Sequence, residues 1–217
     1  MPFYEDLIAA TNTDRAALFS APIIADCLQG RVSNESYLAF LGQAYHHVRH
    51  TVPLLMACGA RLPERHEWLR SAIAEYIEEE LGHQEWILND LAACGADPEA
   101  VRHGQPALAT ELMVAYVYDR IARHNPVSFF GMVNVLEGTS IALATRAASA
   151  IRGSLELPPT AFSYLNSHGS LDLEHMRFFE DLMNRLDADE YREAVVHTAR
   201  VVYRLYGEMF RSLPLTQ

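Results

Sequence analysis

Phe129-Phe130-Gly131-Met132-Val133-Asn134-Val135-Leu136-Glu137-Gly138-Thr139-Ser140-Ile141-Ala142-Leu143 decides how this chain folds. It lies inside a longer apolar segment, Val127–Ile151, whose apolar residues fall on several sides of a helix rather than along one stripe. A helix of that kind belongs at the centre of a bundle, enclosed by others. Glu137 is its only acidic residue. A lone carboxylate in a core helix costs several kcal/mol unless it is paired, protonated or bound to a cation. Arg146 and Arg152 stand too far along the same helix to pair with it easily, so the missing charge has to come from elsewhere in the chain.

Helical periodicity continues on both sides, and no period-two alternation extends over five or more residues. Short helices are expected at Tyr4–Ala10 and Asp14–Leu28, ending before Gly30. Ser33 reads as the N-cap of a long helix to about Ala57, because Tyr37, Phe40, Leu41, Tyr45 and Val48 keep helical spacing. Pro63 precedes a helix from about Glu64 to Ala93, closed by Gly95. Pro106–Arg123 follows, stopped by the Asn125–Pro126 step. Beyond the Pro158–Pro159 turn a helix runs from about Thr160 to Leu186, with a break expected at Gly169. The last covers about Asp189 to Arg211. The connections are short, and no repeat or linker divides them. The expected architecture is a single all-α domain over residues 1–217, a bundle of seven or eight helices.

Two other segments carry ligand-type side chains. In Glu75-Tyr76-Ile77-Glu78-Glu79-Glu80-Leu81-Gly82-His83-Gln84-Glu85, Glu80 and His83 are three residues apart. On a helix they share a face, about 50–60° apart around the axis. Read alone, an acidic helix with one His is an ordinary solvated face. In His168-Gly169-Ser170-Leu171-Asp172-Leu173-Glu174-His175, offsets of four and three put His168, Asp172 and His175 on one stripe. The acid-x-x-His spacing recurs there, preceded by a second His. Helical bundles use this spacing to offer a metal one carboxylate and one imidazole.

Glu80, His83, Glu137, His168, Asp172 and His175 together give three carboxylates and three imidazoles. Such a mixed nitrogen and oxygen set suits Fe(II) or Mn(II), and the lack of Cys donors argues against structural zinc. Glu79 competes with Glu80 for the first position. Two Fe(II) ions against three carboxylates leave a nearly neutral site, to which O2 or an anionic substrate can add. Gly82 and Gly138 flank two of the donors, where missing side-chain bulk would favour close helix approach or an open coordination position.

Composition narrows the alternatives. All seventeen basic residues are Arg, which excludes Schiff-base chemistry, covalent pyridoxal phosphate and a Walker-type phosphate loop. The net charge of −11 argues against a nucleic-acid partner. No apolar run reaches the ~18 uncharged residues of a membrane span, and the N-terminus has no basic start followed by an apolar stretch. Cys27, Cys58 and Cys94 are widely spaced and odd in number, which suggests a reducing cytoplasm. His46, His47 and His50 form a further cluster, with His46 and His50 on one face. No acid lies near them in sequence, so a supporting or surface role is expected. Tyr37, Tyr45, Tyr76, Phe129 and Phe130 read as core, with one of the two phenylalanines lining an apolar pocket near Glu137.

These motifs resemble the haem-oxygenase-like di-iron oxidases and oxygenases, which share the thiaminase-II and haem-oxygenase helical fold but hold two irons instead of haem. The resemblance runs from Ser33 to Arg211. Glu80 and His83 match the shorter Glu-to-His spacing of the family's first metal helix, and Glu137 matches the single Glu of the second. His168, Asp172 and His175 match the His-x-x-x-Asp/Glu-x-x-His of the third. The longer spacing would put an acid at position 76, where this chain has Tyr76. The pattern is therefore nearest to the branch that decarboxylates medium-chain fatty acids to alkenes, and the missing Lys weighs against the aminobenzoate-forming branch. The resemblance implies two Fe(II) ions, with Mn an alternative, and O2 as co-substrate. It also implies a fatty acid or amino-acid derivative as substrate, an external electron donor and no membrane. A homodimer is one candidate assembly. The competing readings are an iron-storage bundle without organic turnover and a metal-free or Cys-dependent thiaminase-like relative.

Overall fold

The computed structural model describes residues 2–215, apart from the side chains of residues 168–175. Among the described residues there are eleven α-helices and three short 3₁₀ turns, with no strand. The helices are α1 (Phe3–Phe19), α2 (Pro22–Leu28), α3 (Asn34–Val48), α4 (Thr51–Arg61), α5 (Glu67–Glu80), α6 (His83–Ala93), α7 (Pro98–Arg102), α8 (Leu108–Arg123), α9 (Phe129–Leu155), α10 (Ser163–Asn184) and α11 (Asp189–Ser212). The all-helical expectation holds. The count of seven or eight is too low because two long segments are each divided and one short helix was overlooked.

Each difference has a local cause. The helix expected from Ser33 to Ala57 does start on that cap, since Ser33 Oγ accepts from Ser36 N at 3.0 Å. It stops at Val48 and restarts as α4. Pro53 explains the interruption, because a proline ring collides with the carbonyl four residues earlier, here that of Arg49. The segment from Glu64 to Ala93 breaks at Leu81-Gly82. The break expected between Ala10 and Asp14 is absent: Thr11 Oγ1 donates to Leu7 O at 2.8 Å, which satisfies the hydroxyl within α1. The chain turns instead at Ala21, held extended (ψ 126°) by Pro22, the first residue of α2. The overlooked α7 is capped by Asp97, whose side chain accepts from Glu99 N at 3.0 Å. The helix α10 continues through Gly169.

At the centre lies α9, packed against α10, α11, α8, α4 and α2. By length and composition the segment 126–155 is apolar enough to cross a membrane, yet 61% of its most apolar window is buried inside the bundle, as a core helix requires. The amphipathic helix α11 buries Tyr191, Ala194, Val195, Thr198, Ala199, Val202, Tyr203, Tyr206 and Phe210 on one stripe facing α9, α1 and α8. At Gly131 the helices α9 and α11 approach closely. A Cβ there would stand 2.5 Å from Val195 O and 2.7 Å from Ala199 N. Both atoms are backbone and cannot swing aside. Gly131→Ala is therefore expected to destabilise the protein by about 3 kcal/mol, read by denaturant unfolding, through forced separation of the two helices. An unchanged unfolding midpoint would refute that contact.

Candidate metal centre

Glu80 and His83 come together by a route different from the one expected. They are not neighbours on one helix. Glu80 ends α5, His83 begins α6, and between them Leu81 (φ −62°, ψ 118°) and Gly82 (φ 91°, ψ −3°) form a type II turn. Positions i and i+3 of such a turn are as close as on a helix, so His83 Nδ1 and Glu80 Oε2 lie 3.0 Å apart. Gly82 is needed for its positive φ, which an L side chain adopts at a cost of about 1–2 kcal/mol. Nothing lies within 4 Å of a Cβ built at Gly82 or at Gly138, so neither serves close helix approach.

Glu80 is largely buried, whereas Glu79 points to solvent. Glu80 shares an interior cavity with Glu137, which α9 supplies, and with His47 from α3. Val48, Thr51, Phe129, Met132, Val133, Leu136, Ser140, Tyr164 and Tyr206 complete its described lining, and no Arg is among them. Arg146 and Arg152 are both exposed at the surface. His83 is 4% exposed and stacks on Trp86 with ring centroids 4.0 Å apart. Its Nδ1 faces Glu80 Oε2 at 3.0 Å, a carboxylate–imidazole contact of the kind that orients a ring beside a cation. Burial first, and then the charges of Glu137, Glu79 and Glu80, push the Tyr76 hydroxyl far above the usual phenol range. Tyr76 is thus the buried neutral neighbour of these carboxylates.

The other expected donors, His168, Asp172 and His175, belong to the stretch whose side chains lie outside the described residues. Their backbone is part of α10, which packs along α9 and also against α6. Among the described residues no group of three donors is close enough to hold a metal. The described part of the site consists of the Glu80–His83 pair and Glu137 across the cavity from Glu80. Two partly buried carboxylates lining one cavity, with an imidazole beside one of them, form a donor set that suits a divalent cation.

The three histidines of α3 and its end separate by role. His47, 2% exposed, lines the cavity and meets Tyr206 edge to face at 5.6 Å. His46 packs on Tyr45, and His50 Nδ1 lies 3.2 Å from Tyr118 Oη. Burial, then Arg49, lowers the pKa of both. Sequence reading had paired His46 with His50 and missed that His47 enters the cavity. The available signal was its place beside the apolar stripe of Tyr37, Leu41, Ala44 and Val48. Phe129 lines the cavity, and Phe130 is fully enclosed in the core. Burial lifts the Cys27 and Cys94 thiols to about 11 and the Cys58 thiol to about 12, so none offers a thiolate near neutral pH.

A second element ties α6 to α10. The first helical residue of α10 follows Phe162, which caps nothing with its side chain. The cap comes from Asp90 on α6, fully buried, whose Oδ1 accepts from Ser163 N at 3.0 Å and from Ser163 Oγ, and whose Oδ2 accepts from Tyr164 N at 2.9 Å. The helix that carries His83 therefore also anchors the start of the helix that carries His168, Asp172 and His175.

Several solved structures share this architecture. A domain of unknown function with a heme oxygenase-like fold from Shewanella denitrificans superposes with a TM-score of 0.85 at 22% identity, over 98% of this chain and 92% of that one. Heme oxygenase from Leptospira interrogans gives 0.80 at 16% identity, over 98% and 100%. A TenA homolog from Pseudomonas syringae gives 0.78 at 12% identity, over 97% and 91%. At these identities the likeness is one of fold. No curated protein matches the sequence. A family model described as "iron-containing redox enzyme" matches residues 38–207. That match spans both the Glu80–His83 turn and Glu137, and the chain belongs to this haem-oxygenase-like family of iron-containing redox enzymes.

Proposed function

We propose that the protein is a non-haem di-iron oxidase or oxygenase that uses O2 to oxidise a small organic substrate, a fatty acid or an amino-acid derivative. The observation that carries this reading is the pairing of Glu80 and Glu137 in one cavity, with His83 Nδ1 3.0 Å from Glu80 Oε2. Membership of an iron-containing redox family supports oxidoreductase chemistry. Glu80, His83, Glu137, His168, Asp172 and His175 are the proposed ligands, and two Fe(II) ions held there would supply the electrons for O2 reduction. The rest of the chain contributes position and exclusion of water. Asp90 fixes the start of α10, the Leu81-Gly82 turn fixes Glu80 against His83, and Phe129, Met132, Val133 and Leu136 keep the cavity wall apolar. Three free thiols, all held protonated by burial, fit a reducing cytoplasm and disfavour a Cys-dependent reaction.

Anaerobic titration of metal-free protein with Fe(II), followed by O2 with and without candidate carboxylic acids, tests the proposal by visible absorbance. Uptake of about two ions per chain and an O2-dependent chromophore that responds to substrate are expected. Uptake of one ion or none rejects the di-iron site, and a Soret band with haemin but no Fe(II) uptake turns the assignment to haem. Iron uptake with no response to any substrate favours storage. His175→Ala is expected to abolish the chromophore; an unchanged signal moves the site elsewhere.

A further inference from the structure

His83 is the first residue of α6, so no helical turn precedes it to restrict its side-chain rotamers. Two side chains hold the ring instead. Glu80 Oε2 stands 3.0 Å from Nδ1, and the Trp86 indole lies on the face of the imidazole, with centroids 4.0 Å apart and planes at 30°. The place of Trp86 follows from helix geometry. It comes three residues after His83, and a long helical side chain leans back over the turn N-terminal to its own Cα. That turn is the one His83 begins. Arg102 of α7 braces the same turn from outside. Its Nη1 and Nη2 donate to Glu85 Oε1 and Oε2 at 3.0 and 2.9 Å, and its Nε to Glu99 Oε1 at 2.9 Å.

Packing of the core does not account for this residue. Trp68, the other tryptophan, packs against the larger apolar core, whereas Trp86 joins neither of the two cores formed by the described residues. It is half-buried, and its indole rests on His83. We propose that Trp86 is a positioning residue of the metal centre: its flat face holds the His83 imidazole in the orientation that sets Nδ1 against Glu80, and so preorganises the ring for a divalent cation. The role rests on the reading of His83 as a ligand; the stack itself does not. An imidazole free to rotate has to be ordered when the cation binds, and that ordering weakens binding. A stack already in place removes the cost. The role needs a planar surface rather than apolar bulk, since only a second flat ring can cover the imidazole face at this separation.

Two variants separate shape from bulk. Trp86→Phe keeps a flat face, and Trp86→Leu keeps apolar bulk without one; Trp86→Met replaces the leucine variant if that does not fold. In the metal-free protein, proton NMR reads the stack. The ring protons of His83, assigned by their loss in His83→Gln, are expected to be shifted upfield by the indole, to remain shifted in Trp86→Phe and to lose the shift in Trp86→Leu. Anaerobic Fe(II) titration reads the consequence. Affinity for one of the two ions should fall about tenfold to a hundredfold in Trp86→Leu, as when a group that orients a metal-bound imidazole is removed, and stay near the native value in Trp86→Phe. Equal losses in both variants would assign the effect to lost packing and overturn the proposal, as would native affinity in Trp86→Leu. Unshifted His83 protons in the native protein overturn the stack. A shifted His83 signal without Fe(II) uptake by the native protein upholds the stack, rejects the di-iron reading and removes the positioning role with it.

Discussion

Glu137→Gln is expected to change the sign of its effect on stability when iron is added. In the metal-free protein the carboxylates of Glu80 and Glu137 line one cavity, and like charges in a partly enclosed space oppose each other. Removing one should raise the unfolding temperature, by about 2–4 °C for each kcal/mol of repulsion relieved in a chain of this size. With Fe(II) the order should reverse. A ligand present at about 100 times its dissociation constant adds roughly 2.7 kcal/mol to the native protein, and the variant, short of one anionic donor, forfeits most of that gain. Fe(II) uptake should fall to about one ion per chain or fewer. Thermal unfolding of both proteins with and without Fe(II) provides the check. A variant stabilised by the same amount in both conditions would remove Glu137 from the metal site.

Asp90→Ala is expected to cost about 3 kcal/mol, as much as Gly131→Ala. It removes a helix cap, worth about 1–2 kcal/mol, and strands buried donors on Ser163 and Tyr164 at about 1 kcal/mol or more each. Asp90→Asn should cost about half as much, because one amide oxygen can serve only one of the two sides and its NH2 then faces a donor. Burial pushes the Asp90 carboxyl above its usual range, while the hydrogen bonds from Ser163 and Tyr164 pull it down. The proton-linked stability is therefore fully present below the unfolded aspartate range and is lost as pH rises through the raised folded value. The loss from Asp90→Ala should reach the proposed iron site as well, since α10 would lose its anchor to α6. Denaturant unfolding reads the first effect and Fe(II) titration the second. Full stability after the alanine substitution would show that α10 needs no cap from α6.

Much of the architecture can be read from local chemistry in the sequence. Ser33 as a cap and Asn125–Pro126 as a stop both act within a few residues of themselves, and the structure follows them. So does the all-round apolar surface of 127–151, which leaves α9 no place except the interior. The missed boundaries are also local in cause. Pro53 acts four residues upstream, Pro22 one residue upstream, and the positive φ of Gly82 divides what periodicity alone reads as one helix. Periodicity fails there because two helices joined by a four-residue turn keep almost the phase of one.

The residue types near the site were equally visible. Glu137 stood out as an acid in an apolar helix, and Glu80 and His83 were adjacent under either a helix or a turn, because both conformations bring i and i+3 together. The choice between Glu79 and Glu80 was beyond the sequence. Consecutive residues on a helix differ by about 100° in direction, and only the packing of α5 shows which of the two turns inward. It turns Glu80 into the cavity and Glu79 to solvent. The entry of His47 and the Asp90 bridge were hidden for a related reason. Each joins residues dozens of positions apart, through contacts that no local pattern encodes. The sequence by itself determined a helical bundle with a carboxylate at its heart and donor residues on three segments. Tertiary packing decided which side chains share a cavity, because that depends on how whole helices rotate against one another to bury their apolar faces.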